Sequence, residues 1–192
     1  ERELLTAIEA ARKERRTLAS RGDAWGVQLT GAYRIQAARR QGPAKGYKIG
    51  LTSPAKQAQM GIDQPIWGHI DATMLVEDVL SLRRFIQPRL EPELAVVLRA
   101  PVPSRASPGT AWAAVAGFLL AVDVLDSVWE GYRFTAAEVV ADNASGGAFV
   151  LGQRLLQPMD VRGWLRLSLN GRVVTEGPLE ALADVGHQLC WL

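Results

Sequence analysis

The sequence has 192 residues and a formal net charge of +2, enough chain for one domain with a sizeable core. Its 48% apolar and 22% charged residues mark a globular rather than a disordered chain, and the near balance of charge argues against a nucleic-acid partner. Cys190 is the single cysteine, so no disulfide can close within the chain, and a reducing, cytoplasmic setting is expected. The longest apolar run, from Val115 to Leu125, is broken by Gly117 and Asp123 and is too short to span a membrane, and the charged N-terminus lacks the apolar core of a signal peptide.

In chain order, Leu4, Leu5, Ile8, Ala11 and Leu18 recur at helical spacing over residues 1–21, with Gly22 as the stop. Arg12, Lys13, Arg15 and Arg16 alternate with Glu9 and Glu14 and read as the solvated face of that helix. Thr30 is placed to cap a second helix running to Arg40, ended by Gly42 and Pro43. Residues 45–51 predict a short strand. Ser53 and Pro54 then open a short helix over 55–60 that Gly61 closes. From Trp67 the pattern turns to short strands. Over 89–98, Leu90, Leu94, Val96 and Leu98 fall on one face, with Glu91, Glu93 and Ala95 on the other.

Further along, residues 111–117 read as helix and 118–127 as strand, and Thr135 with Glu138 forms a capping box. A Gly/Ser loop over 143–147 leads into a strand at 148–151. Asn170-Gly171 between two alternating segments predicts a type I′ hairpin, and 179–192 an apolar helical end. Helices first and hairpin-connected strands afterwards predict an α+β fold: a single domain over 1–192, helical over 1–42 and β-rich over 43–192.

The carboxylates carry the chemistry. Glu91 and Glu93 sit two residues apart on a predicted strand, so both leave from one face. Like charges this close repel unless a cation lies between them. Spacing alone leaves two readings open: a metal site, or a solvated polar face with Arg89 as a partner. Asp123 stands inside the apolar run Phe118-Leu-Leu-Ala-Val-Asp-Val-Leu-Asp126, where a buried aspartate needs a cation or several hydrogen bonds. Alternation sends Asp126 to the opposite face, so the two aspartates should have different roles. Three carboxylates from two strands would suit a hard divalent ion, Mg²⁺ or Mn²⁺, and a turn cap remains the other reading of each aspartate.

Three stretches now bear on family. Gly46-Tyr-Lys-Ile-Gly-Leu-Thr-Ser53, Pro88-Arg-Leu-Glu-Pro-Glu-Leu-Ala-Val-Val97 and Val140-Ala-Asp-Asn-Ala-Ser-Gly-Gly-Ala-Phe-Val-Leu-Gly152 resemble, in this order, the 2-keto-4-pentenoate hydratase and 4-oxalocrotonate decarboxylase family of the fumarylacetoacetate hydrolase superfamily. The resemblance implies N-terminal helices followed by a mixed, mostly antiparallel β-roll. It also implies further strands beyond residue 192, so the chain is expected to be short at its C-terminal end. The family's metal-binding Glu-x-Glu pair matches Glu91 and Glu93. Asp123 stands where the family usually has a glutamate, three residues before Asp126-Ser127, and is one methylene shorter. Lys48 matches the active-site lysine and Asp71 the acidic residue after the Gly-x-Leu turn. Asn143 and Ser145 match the loop that makes polar contacts to substrate. Val128 departs from the arginine that usually follows Asp-Ser.

By this resemblance the substrates are 2-hydroxy-2,4-dienoates, or their 2-oxo tautomers, from aromatic-ring breakdown. Hydration and decarboxylation both push negative charge onto the 2-oxygen, so one fold can serve both. Gln64-Pro-Ile-Trp-Gly68 and Gly131-Tyr-Arg-Phe134 lean towards the decarboxylases, and Ala148-Phe-Val-Leu-Gly152 towards the hydratases. Hydratase is taken as the first reading, decarboxylase as the second, and a catalytically impaired partner subunit of such an enzyme as the third. A decarboxylase substrate needs a second cationic contact, for which Arg89 and Arg133 are candidates. Only His69 and His187 are present, without the His–Glu pairing of hydrolytic relatives, which disfavours C–C hydrolysis. His69 reads as a packed strand residue. A homo-oligomer is expected, with a complex with a cognate decarboxylase or hydratase as a further expectation.

Overall fold

The computed structural model describes residues 1–77, 79–179 and 184–192. The chain divides into two compact units interleaved in sequence: Glu1–Leu90 with Val124–Phe149, and Glu91–Asp123 with Val150–Leu192.

The first unit opens with α1 (Arg2–Glu14), whose Leu4, Ile8 and Ala11 are buried at the expected spacing. The helix ends earlier than the periodicity suggests, with Arg15 left-handed at φ 51°. Leu18 is not helical; its N–H donates to Val128 O (2.6 Å) in a short parallel bridge to Trp129. Helix α2 (Leu29–Ala38) starts one residue before the expected cap. Gln28 stands at its N-cap without a side-chain bond, and Thr30 lies within the first turn. Strand β1 (Gly46–Gly50) leads through α3 (Pro54–Gln59) to β2 (Ile66–Ile70), with Ser53 Oγ capping Lys56 N–H (3.3 Å) and Pro54 in the first turn as read from the sequence.

β1 and β2 pair antiparallel, placing Lys48 opposite Gly68. A two-residue strand, β3 (Leu75–Val76), follows. Leu4, Ile8, Ala32, Ile35, Trp129 and Val140 anchor this unit's core.

Strand β4 (Arg89–Leu98) leads into the second unit. There α4 (Pro108–Ala113) is capped by Ser107, whose Oγ accepts from Thr110 N–H (3.2 Å). This is the same Ser-Pro start seen at Ser53-Pro54, and it places the helix three residues earlier than apolar spacing alone predicts. Strand β5 (Val115–Leu125) starts where that expected helix would have continued, and β5 and β6 (Gly146–Leu151) run through both units. Short helix α5 (Ala136–Ala141), in the first unit, carries both halves of the Thr135/Glu138 capping box.

The four-stranded sheet has the order β3-β6-β5-β4. In β4, Leu94 and Val96 pack against Val115, Phe118, Val161 and Val185, but Leu90 and Leu98, expected on the buried face, are exposed. Strands β7 (Trp164–Leu169) and β8 (Arg172–Pro178) form the expected hairpin, with Asn170 at φ 51° and Gly171 at φ 78°, the two positive values a type I′ turn needs. Helix α6 (Val185–Trp191) closes the chain; part of the helical end expected over 179–192 lies outside the described residues. No described helix is long and apolar enough to cross a membrane.

Candidate functional site

In the first unit a cleft of about 390 Å³ is lined by Arg12, Arg39, His69, Asp71, Asp142 and Asn143, among others. Asp71 is buried at the end of β2. Its Oδ1 accepts from Thr73 N–H (2.9 Å) and Thr73 Oγ1 (2.6 Å), which caps a single helical turn at Ala72–Met74. Burial raises the Asp71 pKa, but these bonds outweigh it and hold the carboxyl below its ordinary value. His69 is packed within β2 as read from the sequence, and burial lowers its pKa despite nearby Asp71.

Residues 143–145 follow α5 in an unusual conformation. Asn143, Ala144 and Ser145 have φ of 55°, 51° and 55°, a left-handed turn built from non-glycine residues. Such strain persists only where the surroundings hold it. Here Asn143 acts as an extra strand partner for β2: its Oδ1 accepts from His69 N–H (2.9 Å) and its Nδ2 donates to His69 O (3.0 Å). Gly68 permits this approach, because a Cβ there would lie 2.6 Å from Asn143 O. Both ends of the Asn143 amide are therefore engaged with β2. The Ser145 hydroxyl is buried and has no hydrogen-bond partner among the described residues.

Beneath the turn lies a group of ion pairs. Arg12 was expected on a solvated helix face; instead its guanidinium bonds two buried carboxylates. It donates to Asp142 Oδ1 and Oδ2 (2.9 and 2.8 Å), to Asp126 O (2.6 Å), and to Asp126 Oδ2 in a short ion pair. Arg39 adds a bond to Asp142 Oδ1 (3.4 Å). Burial opposes the Arg12 charge, yet Asp142 and Asp126 together raise its pKa, whereas for Arg39 burial wins and the pKa falls. Asp126 Oδ1 also accepts from Ile86 and Gln87 N–H (2.8 Å each), so its role is to tie loops together. Arg89, one of the two cations expected to suit a second carboxylate, stacks on the Tyr132 ring at 3.8 Å.

Lys48 sits half-buried in β1. In the second unit, Glu91 and Glu93 stand exposed on β4 and Asp123 is buried on the neighbouring strand β5. Pro92, Leu120 and Val122 line one apolar groove. Strand alternation therefore turns Glu91, Glu93 and Asp123 to the other face of these two strands. All three offer the carboxylate oxygens that a hard divalent ion prefers, so the donor chemistry fits. As the side chains stand, no three His, Cys, Asp or Glu among the described residues are gathered closely enough to hold an ion.

The profile of the fumarylacetoacetate (FAA) hydrolase C-terminal family matches residues 46–191. The chain belongs to that family. It is 36% identical over 154 residues to a 4-oxalocrotonate decarboxylase of a Pseudomonas species, covering 79% of this chain and 59% of that one. It is also 36% identical over 190 residues to 2-keto-4-pentenoate hydratase 2 of Dechloromonas aromatica (strain RCB), covering 90% and 72%. The 4-oxalocrotonate decarboxylase from Pseudomonas putida G7, solved with magnesium and adipate, superposes with a TM-score of 0.84 at 31% identity, over 99% of this chain and 79% of that one. The same decarboxylase has been solved with calcium and acetate. This family member thus spans less than two thirds of the first decarboxylase's length and has the α+β fold its sequence resemblance implied.

Proposed function

We propose that this chain is a divalent-metal-dependent lyase acting on 2-hydroxy-2,4-dienoates or 2-oxo-enoates. The carrying observation is the superposition, over nearly all of this chain, on a decarboxylase holding magnesium and a dicarboxylate. In this reading Glu91, Glu93 and Asp123 hold the ion, Mg²⁺ or Mn²⁺. Once bound, the ion serves as a Lewis acid that stabilises negative charge developing on the substrate's 2-oxygen.

The protein's own groups do the rest. Lys48 delivers the proton that ketonises the dienol at C5. Asp71 orients water for addition at C4, its ionised carboxylate accepting a hydrogen bond from that water. The buried Ser145 hydroxyl donates to the substrate carboxylate, and Asn143, engaged with His69, holds the turn that presents it. Hydration stays the first reading: the Dechloromonas hydratase aligns with more of this chain, and more of its own length, than the Pseudomonas decarboxylase. Decarboxylation has separate support in the solved decarboxylase. In that reaction the carboxylate at C6 leaves as carbon dioxide and its bonding electrons move through the conjugated chain to the 2-oxygen.

Assaying 2-hydroxypenta-2,4-dienoate and 2-oxohex-3-enedioate with Mg²⁺ separates the readings. Loss of the dienoate's ultraviolet absorbance without gas marks a hydratase. Carbon dioxide release from the diacid marks a decarboxylase. Turnover of neither overturns the lyase reading in favour of a partner subunit. Lys48→Ala should keep the Mg²⁺ response and lower turnover at least a hundredfold; wild-type rates would remove Lys48 from the chemistry.

A further inference from the structure

The family match begins at residue 46, yet the charges that neutralise two of its buried carboxylates come from residues before it. Asp126 is 2% and Asp142 0% exposed, and carboxylates so far from water require a cation held in good geometry. Arg12, in the last turn of α1, supplies it to both at once, since a planar guanidinium presents donors in a rigid fork.

What Arg12 holds in place matters more than the charge it neutralises. Asp142 also accepts from Val128 N–H (3.0 Å), and the Asp126 N–H donates to Ser145 O (2.8 Å), so the two aspartates bracket the strained turn at 143–145. The turn's Asn143 grips His69 on both sides, and Asp71 follows two residues later. A continuous path of bonds therefore runs from Arg12 through Asp142 and Asn143 to the end of β2. The geometry points to Arg12 as a positioning residue: it fixes the left-handed turn bearing Ser145 and, through Asn143, the end of β2 bearing Asp71. The chemical roles of Ser145 and Asp71 rest on the lyase reading; the clamp does not. The N-terminal helix is thus a working part of the site.

Arg12→Lys tests this, because an ammonium keeps the charge but has no fork to bridge two carboxylates. The variant should melt cooperatively and keep the wild-type Mg²⁺-induced rise in Tm. Its kcat should fall tenfold or more, and KM should rise as the turn presenting Ser145 loosens. The amide hydrogens of His69 and Thr73 should exchange at least tenfold faster, while those across the β7–β8 hairpin keep their wild-type rates. Unchanged exchange at His69 and Thr73 overturns the proposal whatever happens to turnover. Faster exchange with wild-type kcat reduces Arg12 to a structural tie and also overturns it. Loss of the Mg²⁺ response places Arg12 at the metal instead and overturns it too. If the wild type turns over neither substrate, the lyase reading fails by itself and the exchange rates still decide the clamp. Should Arg12→Lys not fold, Asp142→Asn probes the same fork from its other side, with the same outcomes expected.

Discussion

Glu138 shows how much one buried carboxylate can organise. It is 1% exposed and accepts from Ser20 Oγ (2.7 Å), Arg21 N–H (2.9 Å), Gly22 N–H (3.0 Å), Trp25 Nε1–H (2.8 Å) and Thr135 N–H (2.7 Å). Its charge sits among donors only, so the loop at 20–25 is fastened to the start of α5. Glu138→Gln puts an amide NH₂ against these donors and should cost about 2 kcal/mol in urea unfolding. A loss under 0.5 kcal/mol would show that the loop finds other acceptors. The sequence revealed only the capping half of this role, because Thr135 is a near neighbour whereas Ser20 lies 118 residues away.

At the scale of elements, local signals were legible and remote ones were not. Asn170-Gly171, Ser53-Pro54 and the Thr135/Glu138 box each act within a few residues, and each stands where the sequence places it. The left-handed turn at 143–145 has no such signal, since Asn-Ala-Ser is an ordinary run whose conformation is imposed by His69 and Asp126. The closeness of β2 to that turn makes Gly68 a sensitive position. Gly68→Ala brings a methyl to 2.6 Å from Asn143 O, so backbone must shift, at a cost of about 1–3 kcal/mol. Thermal unfolding measures this; an unchanged Tm would mean that β2 and the turn separate freely.

Two predictions concern the molecule as a whole. An ion that binds only the native state raises stability by about 2.7 kcal/mol at a hundred times its Kd, so millimolar Mg²⁺ or Mn²⁺ should raise Tm. Glu93→Gln should abolish that rise; an equal rise in the variant would remove Glu93 from the ligands. The pH dependence follows from groups whose folded pKa values lie below their unfolded ones: His69 by burial, and Asp71 and Glu138 because hydrogen bonds outweigh burial. On acidification the unfolded chain takes up these protons first, so stability present at neutral pH is lost as pH falls. Tm should begin to drop below about pH 6.5, as unfolded His69 protonates, and more steeply below about pH 4.5, where the carboxylates follow. A Tm that rises from pH 7 to pH 4 would contradict this.

By itself the sequence determined the helical beginning, the hairpin, the capped helices and, through three ordered stretches of resemblance, the family. Those features depend on periodicity, on turn chemistry spanning two to four residues, and on residue identity, all written along the chain. It also placed Glu91, Glu93 and Asp123 on strands that prove to be neighbours. Only the tertiary structure decided what Arg12 does. Its spacing among Lys13, Arg15 and Arg16 matches a solvated face, and its partners Asp126 and Asp142 lie 114 and 130 residues away. A buried ion pair is a relation between two distant positions, and neither residue by itself carries its mark; burial and distance, which only the folded chain supplies, separate the arginine that clamps from those that face water.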